Sequence, residues 1–130
     1  MPFIVTQGEL AYQAGIVLTG AYKIFLATKG VLTISSTLAQ WEAAELAIAN
    51  GYAAVTGTVS AAVYNSGTGR YDAPVISGAF SATGAGYTFD AMVVKLPSRT
   101  SPYAVNIYDA PITLSAGQSR GFNITLGIKP

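Results

Sequence analysis

Apolar and polar residues alternate most regularly near the end of the chain. Four apolar residues alternate there with three small or polar ones, in the order Phe122-Asn123-Ile124-Thr125-Leu126-Gly127-Ile128. Because successive side chains of a strand point to opposite faces, this pattern predicts a strand over residues 121–128. One face of that strand would join the core, and the other would be polar without charge.

Runs of apolar, β-branched and aromatic residues, separated by turn residues, predict further strands. These strands are predicted over residues 3–6, 21–28, 52–64, 70–82, 87–96, 103–108 and 112–115. Gly57 predicts a bulge or bend, and Pro74 predicts an edge strand or a bulge. The turns between strands are predicted at residues 65–69, 83–86 and 116–119.

One segment has the composition of a helix. Residues 38–49 are mostly strong helix formers, and Thr37 with Gln40 matches a capping box. Asn50-Gly51 predicts a left-handed end to this helix. Its apolar stripe would consist of Leu38, Trp41, Ala44 and Ile48, with Glu42 away from the stripe and Glu45 at its edge. A short helical turn is predicted over residues 8–14.

These elements predict a mainly β protein. About eight short strands, spaced at 8–12 residues with turn signals between them, are typical of a sandwich or barrel. We therefore expect an antiparallel β-sandwich, jelly-roll-like, with one α-helix over residues 38–49. The length of 130 residues fits a single domain, 1–130.

Charge is scarce in this composition. The chain carries 13 charged side chains, 10% of its residues, against about 25% in typical soluble domains. The absence of His and Cys excludes disulfides, Cys- or His-based metal sites and a Ser-His-Asp triad. A net charge of +1 provides no electrostatic footprint for nucleic acid, and the apolar run at residues 14–18 is too short to span a membrane. The first residues, Met1-Pro2-Phe3, lack the basic region of a signal peptide, so we expect a protein made in a cytoplasm without an export signal.

Candidate catalytic groups are weak. The six carboxylates, Glu9, Glu42, Glu45, Asp72, Asp90 and Asp109, occur in no recognisable catalytic motif, although any two could meet in the fold. Residues 65–72 contain one carboxylate and an Arg, which suits a hairpin loop better than a calcium site. The glycine-rich pieces at residues 67–69 and 84–86 precede no helix and indicate turns. We therefore predict no enzyme activity, no metal and no cofactor.

The tyrosines are the most suggestive set. Tyr64 and Tyr71 flank one loop with Arg70 between them, and Tyr103 and Tyr108 bracket another strand. Tyr is favoured at interfaces because it offers contact area with a polar tip and little entropy loss. These five residues are the candidate interface or binding residues, and the alternative is that the rings pack in or beside a small core.

The scarcity of charge predicts assembly. A monomer usually keeps itself soluble with a charged, mixed surface. The outward faces predicted here carry Thr, Ser, Asn, Ala and Gly, which pack against another subunit without desolvating charge. We expect a homo-oligomer or a component of a larger particle, with no nucleic-acid or membrane partner.

The order of segments carries a resemblance. It rests on residues 20–28, 37–38, 51–53, 57–61, 80–84, 91–94, 112–119 and 124–128. In this order the chain resembles small structural proteins of tailed bacteriophages, of the capsid cement (decoration) type, and it departs from them by the helix predicted over residues 38–49. The resemblance implies a β-sandwich without enzyme activity that binds a capsid or tail surface, often as a trimer. It provides no catalytic residues.

The first functional hypothesis is therefore a virion structural protein, a capsid cement protein that is assembled in the host cytoplasm and bridges copies of the major capsid protein. A second hypothesis is a phage tail or fibre component. Two hypotheses of other classes are a carbohydrate-binding sandwich module that uses Tyr64, Tyr71 and Tyr103, and a small hydrolase that uses two Asp or Glu residues.

Overall fold

The computed structural model describes residues 6–128, which form two helices, eight strands of at least three residues and one two-residue strand. The elements are α1 (Gln7–Val17), β1 (Ala21–Ala27), α2 (Leu38–Ala43), β2 (Val55–Thr58), β3 (Val63–Asn65), β4 (Arg70–Asp72), β5 (Ile76–Ser81), β6 (Tyr87–Lys95), β7 (Ala104–Leu114), β8 (Ser119–Ile124) and β9 (Gly127–Ile128). All strand pairs are antiparallel, which confirms the prediction of a mainly β, antiparallel protein. Most of the strand predicted over residues 3–6 lies outside the described residues.

The largest sheet has four strands in the order β2-β1-β6-β7. Its centre is β1 against β6, where Phe25 pairs with Val93 and Leu26 with Met92. Four successive residues of each strand, 24–27 and 91–94, are buried. Both faces of this sheet are therefore covered.

The remaining strands form two smaller sheets, β3-β4-β9 and β5-β8, which we together call the ribbon. β5 pairs with β8, and β4 pairs with β9. The ribbon continues across the break between the two pairs because the Ala73 amide donates to the Leu126 carbonyl. The strand predicted over residues 70–82 is divided into β4 and β5, and Pro74 belongs to neither, so it does not form the predicted edge strand or bulge. The strand predicted over residues 121–128 is likewise divided into β8 and β9. β3 adds a third strand beside β4.

The main core lies between one face of the four-stranded sheet and this ribbon. Its buried members include Leu18, Ile24, Leu26, Tyr52, Ile76, Phe80, Phe89, Met92, Val94, Leu96, Leu114 and Leu126. The helix α1 closes one end through Ala14 and Leu18, and contacts β4 and β9. The Thr6 hydroxyl caps α1 by accepting from the Glu9 amide at 3.2 Å.

A smaller core covers the opposite face of the four-stranded sheet. It consists of Phe25, Ala27, Trp41, Ala91 and Val93, with Leu32 and Ala44 packed beside them. The indole of Trp41 reaches this face from α2 and is fully buried.

The helix predicted over residues 38–49 is wrong in its length. The predicted capping box is present, with Gln40 and Thr37 bonded reciprocally, but the helix ends at Ala43. Beyond it, the Ala44 carbonyl accepts from the Thr28 amide at 3.1 Å, and the Leu46 amide donates to the Leu26 carbonyl at 3.0 Å. These backbone groups bond to β1 instead of continuing the helix, because β2 leaves that part of β1 unpaired. As a result Ile48, predicted to be apolar core, is 85% exposed.

Two strand predictions also need correction. The run at residues 52–64 contributes β2 and β3 to different sheets, and Gly57 lies in regular pairing opposite Tyr22, whose ring occupies the place of a side chain. The predicted strands 103–108 and 112–115 are one strand, β7, because its bulge opposite Asp90 takes up residues 108–111. Pro111 fits in this bulge on an edge strand, where its missing N–H removes no pairing bond.

Candidate functional site

The β3–β4 hairpin positions the first two candidate tyrosines. Its loop is held by Asn65, whose side-chain oxygen accepts from the Gly67 amide at 2.9 Å and whose carbonyl accepts from the Gly69 amide at 2.8 Å. Gly69 has φ +71°, which a residue with a side chain rarely adopts. This turn places Tyr64 directly opposite Tyr71, with ring centroids 5.4 Å apart and planes tilted by 53°.

Arg70 is engaged within its own strand. Its Nε lies 2.7 Å from Asp72 Oδ1, an ion pair whose alignment falls short of hydrogen-bond geometry. The Asp72 carboxylate lies against Gly127 of β9, where a side chain would sit 2.5 Å from Oδ1. The positive charge of Arg70 is therefore neutralised by a neighbour and is not presented as a lone anion-binding group.

Tyr103 joins the same region from outside the hairpin. Its hydroxyl donates to the Gly127 carbonyl at 2.9 Å and accepts from the Gly127 amide at 3.3 Å. These two hydrogen bonds to Gly127 hold β9 in its place beside β4. The structure thus gathers Tyr64, Arg70, Tyr71 and Tyr103 around the sheet β3-β4-β9, and Tyr103 acts there as a structural anchor.

Tyr108 lies in a different place. It belongs to β7, where its ring packs edge-on against Phe89 at 5.9 Å and the Arg120 guanidinium lies 5.4 Å from its ring centre. It lines a groove between β7 and β8. The five candidate residues therefore divide into a cluster of four and one separate residue.

An uncharged surface adjoins the cluster of four. Tyr71 lines a hollow of about 400 Å³ together with Ala11, Ala14, Gly15, Leu18, Thr19, Val59, Ala61 and Ala62. Tyr12 and Ile16 of α1 are 65% and 54% exposed and do not line this hollow. We call the residues that line the hollow the α1–hairpin face. Sequence reasoning identified Tyr71 of this face but none of its α1 residues, because the pattern of α1 gives no clear apolar stripe.

Most of the few charges are already used inside the molecule. Lys129 lies outside the described range, and six of the other twelve charged residues form three ion pairs, Lys23–Glu45, Arg70–Asp72 and Lys95–Glu42, at 2.7–2.9 Å. Two more bond to the backbone: Asp90 accepts from the Lys29 amide, and Arg99 donates to the Val17 carbonyl. Half of the twelve described charged residues are therefore paired with an opposite charge.

A partly buried polar network is the main feature that sequence reasoning missed. The Tyr52 hydroxyl accepts from the Leu26 amide at 3.1 Å and donates to Glu45 Oε2 at 2.8 Å, while Lys23 donates to Glu45 Oε1 at 2.8 Å. Burial raises the pKa of the Tyr52 phenol; the Leu26 amide opposes this shift and the Glu45 carboxylate adds to it. The only sequence signal was Glu45 at the edge of the predicted helical stripe.

Neither metal-binding clusters nor membrane spans occur in the part of the chain that the structure describes. Within residues 6–128, no three carboxylates come together in a group that could hold a metal ion. Neither α1 nor α2 has the length and apolar character needed to cross a bilayer. Comparisons of the chain with protein-family models, curated proteins and solved structures returned no match.

Proposed function

We propose that this protein is a structural subunit that packs against copies of itself and against other protein subunits, and that it serves as a capsid cement protein in a virion. The observation that carries the proposal is the distribution of charge. Eight of the twelve described charged residues are bound to partners within the chain, while the hollow of the α1–hairpin face is lined by uncharged residues alone.

The energetic argument concerns desolvation. Covering a charged surface requires the removal of water from ions, which often offsets the attraction between them. Covering the α1–hairpin face removes water mainly from apolar and small side chains, and each Å² of apolar area contributes about 25 cal/mol. This face is thus suited to a permanent contact between subunits.

The second part of the proposal concerns the fold. We propose that the four-stranded sheet and the ribbon form a β-sandwich of jelly-roll type, as the resemblance to phage cement proteins implies. Their shared core supports this assignment. The six-residue α2 also supports it, since a full helix over residues 38–49 was the one departure from the resemblance. In this role the protein would act mechanically, by bridging copies of the major capsid protein, with a trimer as the favoured oligomer.

The first test measures self-association by light scattering after size-exclusion chromatography. We expect an oligomer that persists at about 1 M NaCl, where the Debye length of about 3 Å screens ion pairs. Ala11→Lys should weaken association about tenfold by placing a charge in the contact. Ala39→Lys, which adds the same charge at an exposed position of α2, is the matched control. A strict monomer at high concentration would contradict the proposal.

The second test uses purified virions. We expect mass spectrometry to find the protein in particles and imaging to place it at three-fold or pseudo-three-fold positions of the capsid. Particles that lack it should lose DNA at lower temperature or under milder osmotic shock. Density on the tail would favour a tail or fibre component instead, and specific retention on a glycan array would favour the carbohydrate-binding alternative.

A further inference from the structure

One exposed turn of the molecule has an asparagine and a glycine at its centre. The turn of residues 49–52 is closed by the Tyr52 amide, which donates to the Ala49 carbonyl at 3.1 Å. Asn50 and Gly51 are both exposed and both have positive φ, 55° and 84°. Two positive φ values at the centre are typical of a type I′ turn, for which Asn-Gly is the preferred pair. The turn leads directly into Tyr52 of the main core.

This turn is docked on a second turn, residues 83–86, which joins β5 to β6. The Asn50 carbonyl accepts from the Thr83 amide at 2.8 Å, and Asn50 Nδ2 donates to the Gly86 carbonyl at 3.0 Å. Gly84 lies close to the same side chain, since a Cβ atom placed on it would be 3.1 Å from Asn50 Oδ1. The side-chain amide of Asn50 therefore provides one of the two hydrogen bonds that hold the turns together.

An asparagine followed by a glycine has a characteristic reactivity. The Gly51 nitrogen can attack Asn50 Cγ, because glycine has no side chain to hinder the approach. The new N–C bond closes a cyclic succinimide, and the Asn50 side-chain nitrogen leaves as ammonia with the proton of the Gly51 amide. Water then opens the ring at either carbonyl and leaves aspartate or isoaspartate. Water is the one co-reactant that these steps need.

The other three asparagines of the chain are poorer sites for this reaction. Asn106 and Asn123 lie within strands and precede isoleucine, whose branched side chain crowds the attacking nitrogen. Asn65 precedes Ser66, and its side-chain oxygen is held by the Gly67 amide at 2.9 Å. The sequence around Asn50 therefore offers the least hindered attack.

The folded turn nevertheless holds the reacting atoms apart. In a type I′ turn the first central residue has ψ of about +30°, which places the following nitrogen nearly opposite Cβ across the Cα–C bond. Ring closure needs that nitrogen on the same side as Cβ, so Asn50 must leave the turn conformation before Gly51 can attack. We infer that Asn50 is a deamidation site whose reaction requires the two turns to separate, and whose products prevent them from docking again. This inference is independent of the proposed function.

The two products remove the contact between the turns in different ways. Aspartate at this position has no N–H group in its side chain, so a carboxylate would face the Gly86 carbonyl, and two acceptors would meet without a donor. Isoaspartate adds a carbon atom to the backbone, so the hydrogen bond from Tyr52 to Ala49 no longer closes the same turn. Either product loosens the segment that leads into Tyr52.

The first test compares the folded with the denatured chain. The parent protein is incubated in mildly alkaline buffer with and without urea, and peptide mapping by mass spectrometry follows the conversion of each asparagine. We expect Asn50 to convert before the other three, and about tenfold more slowly in the folded protein than in urea. Equal rates with and without urea, or faster conversion at Asn65, would overturn the inference.

A pair of glycine variants tests the protection by docking. Gly84→Ala places Cβ against Asn50 Oδ1 and should raise the conversion rate at Asn50 about tenfold in the folded protein. Gly117→Ala is the matched control, because Gly117 also has positive φ but an added Cβ there would meet no atom within 4 Å. Circular dichroism verifies that both variants fold. Equal conversion rates at Asn50 in the two variants would contradict the protection.

A third test concerns the products. Asn50→Asp reproduces one of them and should lower the thermal midpoint by about 4 °C, because the Gly86 carbonyl loses its donor. Asn123→Asp is the matched control, since the oxygen of Asn123 accepts from the Ser77 hydroxyl at 2.6 Å, and a carboxylate keeps that role. An equal midpoint for Asn50→Asp and the parent protein would show that the turns dock again after deamidation, against the inference.

Discussion

Two strand edges of this molecule are treated in opposite ways. The edge of β1 beyond its pairing with β2 is sealed by the chain itself: residues 44–46 run along it, and the Tyr52 hydroxyl accepts from the Leu26 amide. The edge of β8 faces an apolar groove, and the described residues provide no strand for it.

The contrast between the two edges follows from how deeply each is buried. Buried backbone groups that lack a hydrogen bond are costly, so an edge inside the protein must be paired. Residues 44–46, which were predicted to be helical, instead bond to the backbone of β1. The residues of β8 are mostly exposed, so water can bond to the backbone groups that no described strand pairs.

The largest expected effect comes from removing whole rings at the two edges. Tyr52→Ala should lower the free energy of unfolding by about 3–5 kcal/mol, because the ring is buried and packs on Phe80 and Tyr87. Tyr108→Ala at the open groove should lower it by about 1–2 kcal/mol, since that ring is half-buried. Urea denaturation of the two variants compares them, and equal losses would remove the distinction between the edges.

A finer change removes only the hydroxyl that seals β1. Tyr52→Phe should destabilise the protein by about 1–3 kcal/mol, because the Leu26 amide and the Glu45 carboxylate both lose a partner. Tyr87→Phe is the matched control: its hydroxyl donates to the exposed Ser81 carbonyl at 2.7 Å, which water can replace. A loss for Tyr87→Phe as large as that for Tyr52→Phe would show that the seal has no special role.

The same hydroxyl predicts a dependence on alkaline pH. Burial raises the pKa of Tyr52 in the folded protein, whereas an unfolded tyrosine ionises near pH 10. The contribution of the protonated Tyr52 phenol to the free energy of unfolding is therefore fully present below about pH 10. Above that pH the contribution falls by up to about 1.4 kcal/mol per pH unit. Denaturation at about pH 9 and about pH 11 should show the gap between the parent protein and Tyr52→Phe narrowing. A constant gap would contradict the raised pKa.

The smallest effect concerns the ion pairs. Lys23→Met should lower the free energy of unfolding by about 1 kcal/mol, because Lys23 bonds to the Glu45 of the seal and lies over the Phe25 ring. Lys95→Met breaks the more exposed pair with Glu42 and should change it by less than about 0.5 kcal/mol. Thermal melts of the two variants provide the comparison. A larger loss of stability for Lys95→Met than for Lys23→Met would mean that the contacts of residues 44–46 and Tyr52 with β1 do not depend on Lys23.

Local sequence signals correctly predicted the elements whose tertiary contacts favour the same conformation as their local preferences. The turns between strands, the strand β1 and the capping box of α2 were predicted because turn geometry, β-propensity and capping act within a few residues. The prediction failed where a distant partner outweighed them. Residues 44–49 favour a helix by fractions of a kcal/mol per residue, and the unpaired edge of β1 outweighs that preference.

The candidate site divides in the same way. The pairing of Tyr64 with Tyr71 follows from a hairpin loop that is readable in the sequence. The contact of Tyr103 with Gly127, and the separate position of Tyr108, depend on how the ribbon passes the sheet. No local pattern encodes either contact.

The sequence by itself determined a mainly β chain with few charges, because periodicity and composition are properties of neighbouring residues. Only the tertiary structure decided where those charges are neutralised, which edge is sealed and which is open. Ion pairs such as Lys23–Glu45 and the divergence of β7 from β8 join residues that are brought together by packing, and packing is set by the whole chain at once.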